Sequence, residues 1–153
     1  MPDKPLVSIV IPVYNGSNYV RYAIDSALAQ DYHPLEVVVV NDGSTDGGET
    51  ESICLGYGDR IRYFDKENGG VATALNFAIE KANGEYVSWL SHDDAYFPNK
   101  VSRQMSRLEE LKNVGKPVIL SCDVETIDEN GKSLGRVDCS YKLENPIVDM
   151  LLR

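Results

Sequence analysis

Residues 6–12 read LVSIVIP and residues 35–40 read LEVVVV. Both are short, continuous apolar runs rich in β-branched side chains, the pattern of strands covered on both faces. Between them Val20, Ala23, Ile24, Ala27 and Leu28 recur at i, i+3, i+4, i+7 and i+8, which predicts an amphipathic helix that His33-Pro34 closes. A buried strand, a crossover helix and a second buried strand make a βαβ unit.

The same alternation continues outward. Residues 41–47, NDGSTDG, are a cluster of turn formers, and a helix is expected to start near Thr45 or Asp46 and to end around residues 55–58. Residues 61–64 read as a third strand. After the loop 65–70 comes a helix on which Leu75, Ala78, Ile79 and Ala82 share one face, closed by Asn83-Gly84 with glycine in the C-terminal capping position. Residues 86–90 form a fourth strand, and Ser91-His92-Asp93-Asp94 follows at once. Pro98 suits the first turn of the next helix, whose apolar stripe is Val101, Met105, Leu108 and Leu111. Residues 117–121 are expected to be a fifth strand. Residues 124–127 and 133–137, around the turn 128–131, predict a hairpin, and residues 146–152 begin a last helix. The fold class is therefore α/β, a three-layer α/β/α arrangement with a mostly parallel sheet and right-handed crossovers. Ligands of such sheets bind beyond the carboxyl ends of the strands. Tyr14 and Asn15, Asp42, residues 66–70 and residues 91–94 are thus expected along one edge.

At 153 residues, the chain suits one domain with a sizeable core, and its 42% hydrophobic and 25% charged residues are those of a folded protein. The net charge of −9 argues against nucleic acid, whose phosphates demand clustered Lys and Arg. A phosphorylated small molecule is compatible if a cation offsets the repulsion. Cys54, Cys122 and Cys139 are odd in number and lack CxxC spacing, which suggests buried or partly buried free thiols in a reducing compartment. No signal-peptide pattern or apolar run of roughly 20 residues appears. The cytoplasm is the expected location, with peripheral membrane contact left open.

The strongest chemical signal is Asp93-Asp94. Two carboxylates about 4 Å apart repel by roughly 4 kcal/mol at an effective dielectric near 20, and a diphosphate would add to that. Mg²⁺ or Mn²⁺ resolves the conflict, because hard cations take carboxylate, phosphate and water oxygens together. An isolated Asp-Asp pair reads better as a turn cap; placement directly after a buried strand favours the metal. Asp42 could accept hydrogen bonds from a base N–H or ribose hydroxyls, or serve only as a turn residue or helix cap. Asn68-Gly69-Gly70 could face phosphate from a helix N-terminus, or be only a turn. His92 is open between metal ligand, sugar contact and neither. Neither GxGxxG nor GxxxxGK[ST] occurs, and Asn15-Gly16-Ser17 is an accidental glycosylation sequon in a chain without a secretory signal.

Taken together, VSIVIPVYNGSNYVRYAIDSALAQDY, LEVVVVNDGSTD, NGGVATALNFAIEKANGEYVSWLSHDD and VETIDENG resemble the family 2 glycosyltransferases, which have the GT-A fold. The resemblance spans nearly the whole chain. It implies that Pro12, Tyr14 and Asn15 line a nucleotide pocket, that Asp42 recognises the base, and that Gly70 and Asn76 lie beside the nucleotide. In the Asp-x-Asp-type motif it places Asp93 at the ribose or donor sugar and Asp94 on a metal bridging the phosphates. It further implies a nucleoside diphosphate sugar as donor, uridine being the expected base, a glycan or other hydroxyl acceptor, and inversion. Departures from the family pattern are Ser91, where an Asp is common, and Leu75, where many members carry Arg. The family's general base lies in a region that would follow Arg153, so no catalytic base is named. Residues 1–153 are expected to be a single, C-terminally incomplete GT-A domain lacking the acceptor-binding part. Two other readings stand beside it, a non-catalytic nucleotide-sugar-binding module and a nucleotidyltransferase; no basic triphosphate loop supports the latter.

Overall fold

Val7–Val13 is buried along its whole length, which a strand sustains only when both faces are covered. The computed structural model, which describes residues 4–111, 118–128 and 130–138, makes this segment β1, an inner strand of a four-stranded parallel sheet. Strands β2 (Leu35–Asn41), β3 (Arg62–Asp65) and β4 (Tyr86–Trp89) complete the order β3-β2-β1-β4. Every pairing is parallel, so the carboxyl ends share one edge. The loops at Tyr14 and Asn15, Asp42, 66–70 and 91–94 leave the sheet there, as the strand pattern predicted.

The crossovers are α1 (Val20–Leu28), α2 (Glu49–Leu55) and α3 (Val71–Lys81), and α4 (Lys100–Leu111) follows β4. Strand alternation divides the core between the two sheet faces. Ile9, Ile11, Val13, Val37 and Val39 pack with Val20, Ala23, Ile24 and Ala27 of α1, Cys54 of α2 and Val101 of α4. Val10, Val38 and Val40 pack with Ala74 and Ala78 of α3. Each fully buried Val or Ile contributes about 1.5–3 kcal/mol, and helices on both faces make the three layers.

Several boundaries differ from the sequence expectation for local reasons. Helix α2 starts at Glu49 because Gly47 and Gly48 hold φ of 72° and 87°, and the Asp46 carboxylate accepts from the Thr50 N–H at 3.1 Å and the Thr50 hydroxyl at 2.5 Å. Helix α4 starts at Lys100, two residues past Pro98, whose carbonyl accepts from the Asp31 N–H. Ile79 is 50% exposed, not core. Ala74 and Ala78 centre the contact of α3 with the sheet, and Ile79 lies roughly 120° around the helix from it. Residues 118–121 are not a strand: among the described residues they join no ladder, and Ile119 is 80% exposed. Cys122 is exposed rather than buried, whereas burial, then the charges of Asp46 and Glu51, pushes the Cys54 thiol up to about 12. Cys139 and the helix expected at 146–152 lie outside the described residues.

The chain divides into two compact units, Met1–Glu109 and Glu110–Arg153. Within the second, β5 (Val124–Ile127) and β6 (Ser133–Val137) form the expected antiparallel hairpin. Its turn is held by Asp128, whose carboxylate accepts from the N–H groups of Asn130 and Lys132 at 2.9 Å each.

Gly84 follows α3 for a reason the capping rule does not supply. A Cβ there would lie 2.6 Å from the Ser8 hydroxyl, 2.7 Å from the Ser8 nitrogen and 2.9 Å from the Leu6 carbonyl oxygen, two of them backbone atoms. Its own N–H donates to Ser8 Oγ at 2.8 Å, and Ser8 Oγ donates to Glu36, which also receives the Asn83 N–H at 2.6 Å. Gly84→Ala is expected to cost about 2–3 kcal/mol in urea unfolding, since this backbone cannot retreat. A loss under ~0.5 kcal/mol would show that the approach is not rigid.

Candidate functional site

Strand order locates the crevice. The chain steps from β1 outward to β2 and β3, then returns to set β4 on the other side of β1, so the topological switch lies between the carboxyl ends of β1 and β4. Their pairing ends at Val10↔Trp89, with Leu90 N–H still donating to the Val10 carbonyl at 3.0 Å. Pro12 is buried just past that point. The Val13 carbonyl accepts from Asp42 N–H on the β2 side, so the alternating backbone turns the Pro12 nitrogen toward β4. The ladder has stopped there, and proline's missing N–H forfeits no bond.

The loops after β1 and β2 are tied to each other. Asn15 adopts φ of 50°, a conformation that Asn tolerates better than most residues. Its N–H donates to Ser44 Oγ at 2.9 Å, and its side-chain oxygen accepts from Thr45 N–H at 2.7 Å. Next to it, Gly16 N–H donates to Thr50 Oγ1 at 3.0 Å. Tyr14, by contrast, is 45% exposed just past the end of β1.

Asp42 organises the other side of the edge. It is 3% exposed, and its carboxylate accepts from Lys66 Nζ at 2.5 Å, Gly70 N–H at 2.7 Å and Gly69 N–H at 3.1 Å. The Asn68 side chain donates to the Asp42 carbonyl at 2.8 Å. Burial alone would raise the carboxyl pKa, but the Lys66 hydrogen bond, the two glycine amides and the Lys66 charge outweigh it and hold it below the ordinary 3.8. The amides of Gly69 and Gly70, read from sequence as candidates for phosphate, are thus engaged by a carboxylate of the protein itself. An anion at a helix N-terminus is favoured whatever its source. Sequence reading missed Lys66 as its partner. The register Asn41↔Asp65 sets Asp42 beside Lys66, a signal available once β2 and β3 are known to be neighbours.

At the end of β4, Ser91 to Asp94 form a turn closed by Asp94 N–H donating to the Ser91 carbonyl at 3.2 Å. His92 and Asp93 occupy its corners. The His92 ring packs against the β1–α1 loop so closely that a Cβ on Gly16 would lie 2.5 Å from its Cδ2. Asp93 and Asp94 are exposed, and among the described residues neither carboxylate has a hydrogen-bond or ion-pair partner. Partial burial, then the charge of Asp93, still raises the Asp94 pKa, and His92 pulls the other way. Asn76 is not gathered here. It stands on the exposed side of α3, roughly opposite Ala74 and Ala78 and about 7 Å down the axis from the helix start.

Among the described residues no three His, Cys, Asp or Glu side chains converge into a metal cage. The donor set fits the other mode, in which Mg²⁺ or Mn²⁺ takes one or two carboxylates and completes its shell with phosphate and water. No helix of the described residues is long and apolar enough to cross a membrane.

Comparison with known proteins agrees with this arrangement. The family described as Glycosyl transferase family 2 matches residues 8–145. An uncharacterized glycosyltransferase of Rickettsia felis is 62% identical over 130 residues, which cover 85% of this chain and 21% of that protein. The chain spans less than half the length of the curated relatives it matches, 46% for the Rickettsia typhi glycosyltransferase RT0329. Among solved structures, residues 1–349 of S. aureus TarS in complex with UDP-GlcNAc align with a TM-score of 0.62 at 25% identity, covering 82% of this chain and 41% of that one. The mannosyltransferase PcManGT of Pyrobaculum calidifontis, in complex with GDP-Man and Mn²⁺, aligns at 0.59 and 28% identity, covering 77% and 34%. With a parallel α/β sheet of GT-A type and a family match across most of its length, this chain belongs to glycosyl transferase family 2.

Proposed function

We propose that this chain is the donor-binding part of a metal-dependent glycosyltransferase, which takes a nucleoside diphosphate sugar and transfers the sugar with inversion to an acceptor hydroxyl. The observation that carries this reading is the Asp93-Asp94 pair beside the β1–β4 switch point, whose carboxylates have no partner among the described residues. Asp94 would hold Mn²⁺ or Mg²⁺, and Asp93 would face the ribose or donor sugar. Bound there, the metal supplies positive charge for the departing diphosphate. Pro12 shapes the floor of the crevice and Tyr14 offers a ring at its mouth for the nucleotide. Asn15 acts through the loops it ties together. Gly70 acts through Asp42, whose carboxylate receives four hydrogen bonds from Lys66, Gly69 and Gly70, so a nucleotide base reaching it would have to compete with these donors. A uridine nucleotide is the proposed donor, in keeping with the likeness to TarS in complex with UDP-GlcNAc. The proposed place of Asn76, on the exposed side of α3, is beside the nucleotide only at its periphery.

The general base and the acceptor site belong, on this reading, to the part of the relatives' length that this chain does not span. Binding without turnover is therefore expected of the 153 residues alone, the behaviour of a nucleotide-sugar-binding module. A cytoplasmic setting belongs to this proposal, since three cysteines without CxxC spacing suit a reducing compartment. Calorimetry with UDP-GlcNAc, UDP and GDP, with and without Mn²⁺, tests the proposal. Uridine nucleotides should bind at least tenfold more tightly with the metal than without it, and more tightly than GDP. Affinities indifferent to Mn²⁺ would refute the metal, and a preference for GDP would refute the uracil assignment.

A further inference from the structure

With no partner among the described residues, the carboxylates of Asp93 and Asp94 have only the backbone of their turn to fix them, and the exit of that turn is anchored by Tyr96. Tyr96 is partly buried two positions past Asp94. Its hydroxyl reaches back and donates to the carbonyl of Trp89, the last residue of β4, closing the segment 89–96 into a loop. The same hydroxyl lies 2.9 Å from Ser88 Oγ, which also accepts from Lys100 Nζ at 2.7 Å, while the Lys100 ammonium sits 3.7 Å from the centroid of the Tyr96 ring. On the other side, Tyr96 N–H donates at 3.0 Å to Ser26 Oγ of α1, and that hydroxyl donates to the Ala23 carbonyl at 2.8 Å. One residue thus ties the exit of the Asp-Asp turn to β4, α1 and α4. Its entry is fixed by the Leu90 ladder bond and by His92 against Gly16.

The geometry points to Tyr96, anchored by Ser26, as a positioning residue for the metal carboxylates. It touches neither metal nor donor. It sets where Asp94 stands relative to the crevice, and groups that orient a metal ligand typically govern affinity by 10–100-fold. This role presupposes that Asp94 holds the metal, as proposed above.

The test measures Mn²⁺ dissociation by electron paramagnetic resonance on the full 153-residue chain, in saturating UDP, well below each variant's Tm. Tyr96→Phe keeps the ring under Lys100 and removes only the hydroxyl; it should weaken Mn²⁺ about tenfold while UDP affinity without metal stays within about twofold. Ser26→Ala should weaken Mn²⁺ in the same direction, and Ser26→Thr, which retains a hydroxyl, should restore it. The Ser26 pair answers the question even if Tyr96→Phe folds poorly. Asp94→Ala serves as reference. If it abolishes Mn²⁺ binding while Tyr96→Phe and Ser26→Ala stay within about twofold of the parent chain, Tyr96 is only structural and the positioning role is overturned. If Asp94→Ala itself binds Mn²⁺ like the parent, the metal assignment falls, and the role of Tyr96 falls with it.

Discussion

Replacing Asp42 by alanine is expected to destabilise the chain by about 3 kcal/mol, lowering Tm by roughly 10 °C. The side chains of Asp42 and Lys66 are 4% and 19% exposed, so removing the carboxylate strands an ammonium with little water to replace it. It also frees the N–H groups of Gly69 and Gly70 at the start of α3. The cost is put at the low end for a broken buried pair because Lys66 keeps the Glu67 carbonyl and Thr73 Oγ1 as acceptors. Asp42→Ala combined with Lys66→Met should recover part of the loss, since an apolar pair avoids the stranded charge. A single-variant change under ~0.5 kcal/mol by urea unfolding would sink this account of the loop. The pH dependence has a definite sign. The folded pKa of Asp42 is held below 3.8, so its contribution is fully present above about pH 4 and is lost as pH falls through the depressed folded value. The Asp42→Ala variant should lose part of that acid-side slope, a difference that thermal melts between pH 5 and pH 2 would reveal.

Asp94→Ala should act in the opposite register, with a large effect on ligand binding and little on stability. Mn²⁺-dependent affinity for UDP is expected to fall by roughly 100-fold or more, because a direct ligand matters at least as much as the groups that orient it. Tm should hold or rise slightly. The Asp94 pKa is raised by desolvation and by Asp93, which means that the charged form is a burden on the folded state near neutral pH. Asp93→Ala should spare Mn²⁺ more than Asp94→Ala does, if the two carboxylates divide the metal and the donor's sugars between them. Equal losses in calorimetry would show instead that both hold the metal.

The site reads differently from sequence and from space because its parts obey different rules. Asp93-Asp94 is conspicuous in the sequence, because adjacent like charges directly after an apolar run repel each other unless a cation offsets them. Asp42 is conspicuous only as turn chemistry. Nothing local reveals that it is buried against Lys66, whose position is set by the pairing of β2 with β3. Gly84 likewise reads as a helix cap, yet its need arises from the backbone of β1. Asn76 shows the converse, since a motif position carried over by resemblance stands on the exposed side of α3.

Residues 6–12 and 35–40 determined the class of fold without help from the rest of the chain, because a run of β-branched residues without a polar face has to be covered twice. Helical spacing at Val20, Ala23, Ile24 and Ala27 determined what would cover one face. Neither pattern encodes strand order, which depends on long-range pairing. Only the tertiary structure decided that β4 returns to the side of β1 opposite β2, which sets the carboxyl ends of β1 and β4, and the segments that follow them, side by side. Only it decided that Tyr96 and Ser26, 70 positions apart, meet behind that turn.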